Sequence, residues 1–327
     1  MRSFRNIIVG LIVVLGFSLL LVLGGRYLSA RAVPVQQRSA SFCDADAVAF
    51  SPNGKLVAVT CSRDLVYICR FPQLDQVTRL QAKDGRAFQT AFFPDRDYLA
   101  VAEWAGRVTL WDTKQWRKVA EISTPGRASA VVLSPDGRWL VASVGADGWC
   151  LIVWQTKGYR EVYRFKSQGT SSFGPGFGCV AFLDNQTLAA GGLDGCVYVW
   201  DLRTGQLLKR LCGHTQPIWR IAALPTEGLI ASSSIDNTVV VWDWRQGKQL
   251  AVTMGSVVAS CPAKGLFAVS SGTSPVILQL WDARSSRMVA SQKVQEQNIM
   301  DMAFSADGNY LVTVGNGKSV IVWRIER

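Results

Sequence analysis

Residues 213–243 read GHTQPIWRIAALPTEGLIASSSIDNTVVVWD. Apolar runs at 218–224 and 229–231 flank a Pro-Thr-Glu-Gly turn, and the β-branched run at 238–241 follows Asp236-Asn237. Strand-forming residues on both sides of turn chemistry predict antiparallel strands joined by tight connections. The closing tetrapeptide recurs along the chain. YICR stands at 67–70, TLWD at 109–112, IVWQ at 152–155, YVWD at 198–201, VVWD at 240–243, QLWD at 279–282 and IVWR at 321–324. One slot in each run holds Cys69, Trp111, Trp154, Trp200, Trp242, Trp281 or Trp323, at successive spacings of 42, 43, 46, 42, 39 and 42. Self-similarity at a fixed period is the mark of a repeat architecture.

Upstream of the slot, each unit carries a turn between two alternating runs. Examples are AVAFSPNGKLVAV at 47–59, VVLSPDGRWLVAS at 131–143 and MAFSADGNYLVTV at 302–314. No stretch after residue 30 has a sustained helical period, so the body is expected to be almost free of helix. With 49% hydrophobic and 18% charged residues the chain is no disordered polymer, and its single histidine excludes zinc sites built on several imidazoles.

Over about residues 33–327 the chain resembles the WD-repeat β-propeller family with seven blades. Trp111-Asp112, Trp200-Asp201, Trp242-Asp243 and Trp281-Asp282 keep the dipeptide, Trp154 and Trp323 keep the indole alone, and the first unit has Cys69. The resemblance implies an all-β, seven-bladed propeller of four-stranded antiparallel blades. It also implies a ring closed by a strand near residues 33–40, since only four residues follow Trp323. Pro34 is tolerable there, because the outer strand of a blade is an edge.

The resemblance assigns His214, Ser232, Asp236 and Trp242 to a hydrogen-bonded structural tetrad. Ser, His and Asp together mimic a hydrolase triad, but no G-x-S-x-G elbow surrounds Ser232. The slot residues Trp111, Trp154, Trp200, Trp281 and Trp323 are expected to be core. By alignment Trp219 opens an inner strand, with Asp46, Phe88, Ser129, Gly178, Ser256 and Met300 as its counterparts, while Trp104 and Trp149 fall between second and third strands. In the family both places lie on one rim of the disc. Phe88, Trp104, Trp149, Trp219 and Met300 are therefore the expected partner-binding patch. The irregular run Gly174–Gly178 lacks the following helix that a phosphate loop requires and reads as an inter-blade connection.

Ahead of the repeats, residues 7–25 (IIVGLIVVLGFSLLLVLGG) carry no charge. As a helix, nineteen residues would span about 28 Å, the thickness of a bilayer core. A basic tail (1–6), a single transmembrane helix (7–25) and a juxtamembrane stretch (26–32) are expected before the propeller. Ala30-Arg31-Ala32 also allows a cleaved signal and a secreted product. Arg2 and Arg5 on one side balance Arg26, Arg31 and Arg38 on the other, so orientation is open. Of the net charge of +11, five units lie on residues 1–40, leaving a body without the basic stripe of a nucleic-acid binder. Eight scattered cysteines, none in C-x-x-C spacing, read as small buried hydrophobes and favour a reducing compartment.

The expected function is a membrane-tethered, monomeric, non-catalytic scaffold for protein partners, with no cofactor. The alternative is a quinone-dependent dehydrogenase of the propeller type, which segments such as Asp201–Gln206 loosely resemble. Asp46 and Asp301 would be its nearest carboxylates.

Overall fold

The turn-separated runs form 28 strands among the residues that the computed structural model describes: 31–39, 44–61, 64–82, 86–146, 148–167, 176–272, 275–294, 298–316 and 319–326. The chain first lays down β1 (Arg31–Ser39) and then builds blade by blade. Blade one is β2 (Ala45–Phe50), β3 (Leu56–Cys61), β4 (Leu65–Arg70) and β5 (Asp75–Gln81). Blade two is β6 (Ala87–Phe92), β7 (Tyr98–Glu103), β8 (Arg107–Asp112) and β9 (Lys118–Ser123). Blade three is β10 (Arg127–Leu133), β11 (Trp139–Ala146), β12 (Gly148–Gln155) and β13 (Arg160–Lys166). Blade four is β14 (Phe177–Phe182), β15 (Thr187–Gly192), β16 (Cys196–Asp201) and β17 (Gln206–Cys212).

Blade five is β18 (Ile218–Leu224), β19 (Leu229–Ser234), β20 (Thr238–Asp243) and β21 (Lys248–Met254). Blade six is β22 (Val257–Cys261), β23 (Leu266–Ser271), β24 (Val276–Asp282) and β25 (Arg287–Val294). Blade seven is β26 (Ile299–Phe304), β27 (Tyr310–Gly315) and β28 (Ser319–Glu326), completed by β1 running antiparallel to β28 from Arg31↔Glu326 to Ser39↔Ser319. The innermost strands touch in sequence, and β2 meets β26, so the ring is closed. This is the seven-bladed propeller of four-stranded antiparallel blades that the resemblance implied. No helix among the described residues is long and apolar enough to cross a membrane; the apolar stretch 7–25 lies outside them.

The apolar core divides into seven clusters, each shared by two adjacent blades. The third strand of a blade explains why. In β12, Cys150, Ile152 and Trp154 pack toward blade two, whereas Leu151 and Val153 pack toward blade four. In β28, Ile321 and Trp323 face blade six, and Val320 and Val322 face blade one. Alternation along a strand sends successive side chains to opposite faces, so a strand apolar at every position needs a neighbour on both sides. The slot residue always faces the preceding blade. Cys69, Trp154, Trp200, Trp242 and Trp323 are buried there, and Trp111 and Trp281 partly so.

A buried indole N–H needs an acceptor. Trp242 Nε1 donates to Ser232 Oγ at 2.9 Å, which lies 2.8 Å from His214 Nε2, while His214 Nδ1 lies 3.0 Å from Asp236 Oδ2. Ser232 is fully buried and its hydroxyl is engaged inside the blade, an arrangement that serves packing rather than hydrolysis. Three units without the tetrad meet the same need otherwise: Trp111 donates to Thr109 Oγ1, Trp281 to Gln279 Oε1 and Trp323 to Thr313 Oγ1. Burial by itself would raise the Asp236 carboxyl, but hydrogen bonds from Thr238 Oγ1 and the Thr215 and Thr238 amides, with help from His214, hold it below its ordinary value.

The cysteines correct the sequence reading. Cys196 and Cys212 form a disulfide between directly opposed residues of β16 and β17, and Cys61 is also disulfide-bonded. Cys69, Cys150, Cys179 and Cys261 are buried thiols outside any disulfide, as expected of small hydrophobes. Spacing along the chain hid the pair, because antiparallel register rather than sequence distance brings it together.

Deleting residues 1–40 removes β1, whereas deleting 1–26 leaves it; the longer deletion should lower the melting temperature by about 5 °C or more, and equal midpoints would refute its ring-closing role. Replacing Ser232 by Ala strands the Trp242 N–H and should cost about 1–3 kcal/mol in denaturant unfolding. Because the folded carboxyl titrates low, the stability from Asp236 is complete above the ordinary carboxylate value and fades as pH falls through its lower folded value. Asp236→Asn should therefore flatten the acid limb of the stability–pH profile below about pH 4.

Candidate functional site

Each inner strand begins with a device that aims one side chain away from the ladder. In six blades a β-bulge inserts one unpaired residue near the start of that strand: Asp46, Phe88, Ser129, Gly178, Trp219 and Met300. In blade six Ser256 directly precedes β22, where pairing is regular. Bulges locally redirect a side chain and bend the strand. Here they repeat at one end of the inner strands, and their residues line two adjoining cavities.

The first cavity, about 470 Å³, is lined by Phe88, Trp104, Trp149, Trp219 and Met300 together with Asp46, Arg86, Arg127, Ser129, Gly178 and Arg220, among others. All five residues aligned on the rim thus converge on one opening. None of the tetrad residues lines it. The second cavity, about 620 Å³, shares Trp219, Arg220 and Met300 with the first and continues past Ile235, Met254 and Ser256. Trp104, Trp219, Ile235, Met254 and Met300 are exposed.

The aromatic groups are not loosely scattered. Phe88 and Trp104 stack with centroids 5.2 Å apart and planes 27° from parallel. Arg86 covers the Phe88 face at 5.0 Å, and Arg127 covers the Trp104 face at 4.0 Å. Arg86 also grips Asp46 through two bonds, Nη2 to Oδ1 at 2.5 Å and Nε to Oδ2 at 3.1 Å. The result is a ladder of carboxylate, guanidinium, phenyl, indole and guanidinium running across blades one to three. Guanidinium groups laid on ring faces are held by the ring quadrupole and lose little freedom on binding.

Across the opening, Arg220 of blade five donates through Nε to Asp301 Oδ1 of blade seven at 3.2 Å. Its Nη2 reaches the carbonyls of Met300 and Asp46 at 3.4 and 3.5 Å, while Asp301 Oδ2 accepts the Val48 amide at 3.0 Å. One side chain therefore ties three blades across the ring axis. Cys179 forms part of the wall, and burial pushes its thiol up to about 12, so it stands there as an inert thiol rather than a nucleophile.

Trp149 owes its position to glycine. It sits at the start of β12 opposite Gly145, within the strand rather than in the turn. A Cβ on Gly145 would press on the indole, and one on Gly176, whose φ is 153°, would overlap Trp149 Cβ. Gly176 is thus the described end of the irregular run that began at Gly174; residues 168–175 lie outside the described residues. The other three tryptophans outside the slots, Trp116, Trp139 and Trp244, pack into inter-blade clusters instead.

The sequence reading missed Arg86, Arg127 and Arg220. Their signal was register. Arg86 and Arg127 each precede a bulge residue by two positions, and Arg220 follows one directly.

Parts of the chain are similar in sequence to known proteins. The family described as "WD domain, G-beta repeat" matches residues 170–201, 205–243 and 287–324. Periodic tryptophan protein 2 homolog of Dictyostelium discoideum is 27% identical over 189 residues, which is 56% of this chain and 20% of that protein. Transducin-like enhancer protein 2 of Mus musculus is 26% identical over 263 residues, 77% of this chain and 32% of its own length. Protein HIR1 of Candida albicans is 29% identical over 154 residues, 43% of this chain and 16% of its own length. The chain thus spans no more than about a third of these relatives. Over the matched segments the chain is similar to WD-repeat proteins, and its seven closed blades are the fold that this similarity implies.

Proposed function

We propose that this chain is a membrane-tethered, non-catalytic WD-repeat scaffold that binds a protein partner at the bulged end of its inner strands. The observation that carries the reading is the convergence of Phe88, Trp104, Trp149, Trp219 and Met300 on one cavity. Aromatic and methionine side chains fixed on a rigid sheet give a partner a large apolar contact at small entropic cost. The quinone-enzyme alternative loses its two carboxylates to other work, since Asp46 is paired with Arg86 and Asp301 with Arg220. Because the ring closes within one chain, a single copy carries the complete surface.

Residues 7–25 supply the single-pass tether, by composition alone. The Cys196–Cys212 disulfide and the bonded Cys61 favour a propeller on the oxidising side of that membrane.

Replacing Phe88 and Trp219 by Ala together should abolish partner capture with a melting temperature within about 3 °C of the parent, because both residues lie outside the inter-blade clusters; capture that survives the double change sinks the site. The full chain should sediment with membranes and resist alkaline carbonate. In intact cells a membrane-impermeant maleimide should label Cys196 and Cys212 only after reduction; labelling that appears only once the cells are permeabilised would count against the oxidising side.

A further inference from the structure

Three arginines border the aromatic opening, but they are not equivalent. Arg86 is gripped by Asp46, and Arg220 is paired with Asp301. Arg127 meets the face of Trp104 at 4.0 Å and is exposed, and no carboxylate among the described residues pairs with it. A guanidinium stacked through its face keeps its N–H edge free, and that edge fits a carboxylate with two parallel hydrogen bonds. The opening therefore offers one uncompensated, pre-oriented cation beside exposed indole and thioether surface at Trp104, Trp219 and Met300, which are 44%, 49% and 37% exposed. A second observation points into the same space. Ser129 Oγ, on the bulge two residues beyond Arg127, is buried, has no hydrogen-bond partner and belongs to a residue lining the cavity. A buried hydroxyl without a partner is a standing cost that a bound polar group would relieve. The adjoining cavity has no charged lining residue besides Arg220, so the demand for negative charge is local, at the Arg127 end.

Resting on the partner-binding reading above, we propose that the partner enters as an extended peptide placing an Asp or Glu carboxylate on Arg127 and a neighbouring bulky apolar side chain between Trp104 and Trp219. Its backbone satisfies Ser129 Oγ, and its uncharged continuation follows Ile235 and Met254 across the second cavity. A basic peptide would set cation against cation at Arg127. Nucleic acid is disfavoured by the same arithmetic, because one free guanidinium falls short of the row of phosphate contacts that such binding uses.

The test is a random dodecapeptide library displayed on phage and panned against the full-length chain, with a synthetic peptide of the enriched sequence as the measured probe. The expected enrichment is an acidic residue within about two positions of an aromatic or large aliphatic one. Arg127→Gln should weaken the probe about tenfold or more at unchanged melting temperature, and Arg127→Glu should shift enrichment toward Lys or Arg. Enriched peptides that require Trp219 but are neutral or basic, or that ignore Arg127→Gln, overturn the acidic-peptide inference and leave the binding site standing. Peptides that bind a Trp219→Ala variant as well as the parent, or no enrichment at all, overturn the site itself. Tight, Trp219-dependent binding of an oligo(dT) probe, salt-sensitive and stronger than any peptide, would replace the peptide by a nucleic acid.

Discussion

The third strand of each blade is apolar on both faces, and everything else in the fold answers to that. β16 is buried at every position from Cys196 to Asp201, with alternate side chains committed to different neighbours. Such a strand cannot lie on the surface of a lone sheet, and stacking sheets in an open row would leave the first and last faces wet. Closing the row into a ring removes both ends at once. The seven inter-blade clusters are the outcome, and the cluster joining blades one and seven is made by Val57 and Val59 meeting Val320 and Val322. Pairing β1 with β28 places the first described segment and the last strand in one blade, so covalent order and ring order close together.

The proposed binding surface is a by-product of the same repetition. A bulge near the start of one inner strand would re-aim a single side chain; six of them around one axis assemble a crown. The crown is chemically uneven because none of its residues belongs to an inter-blade cluster, although the Ile218 carbonyl, 2.6 Å from where a Cβ would sit, leaves room only for glycine at Gly178. Asp46, Phe88, Ser129, Gly178, Trp219 and Met300 share a geometric role while differing in charge, size and polarity. Arg220 adds rigidity by reaching across the axis to Asp301, so the surface is set before any partner arrives, which lowers the entropic cost of binding.

The tetrad shows how a motif and its physical reason separate. In blade five, Ser232, His214 and Asp236 satisfy the Trp242 N–H. Blade two does the same with Thr109, itself bonded to the buried Glu103, and blade seven with Thr313 alone. The requirement is an acceptor for a buried donor, and several residue types meet it. Motif matching recognised one solution; the others became visible only when the strands were paired.

The resemblance to the WD-repeat family supplied the closed ring and the rim positions Phe88, Trp104, Trp149, Trp219 and Met300; the period near 42 and the alternation around each turn were by themselves enough to determine the number of units, strand direction and the slot residues. These follow from local periodicity, which a linear string preserves. What only the tertiary structure decided depends on register and distance between segments remote in sequence. The Cys196–Cys212 bond follows from cross-strand opposition, and the Arg220–Asp301 tie from blades that face each other across an axis. The carboxylates Asp46 and Asp301 read as candidate ligands along the chain and turned out to be spoken for by Arg86 and Arg220. Charge neutralisation acts through a few ångströms of space, and no spacing in the sequence encodes which cation arrives there.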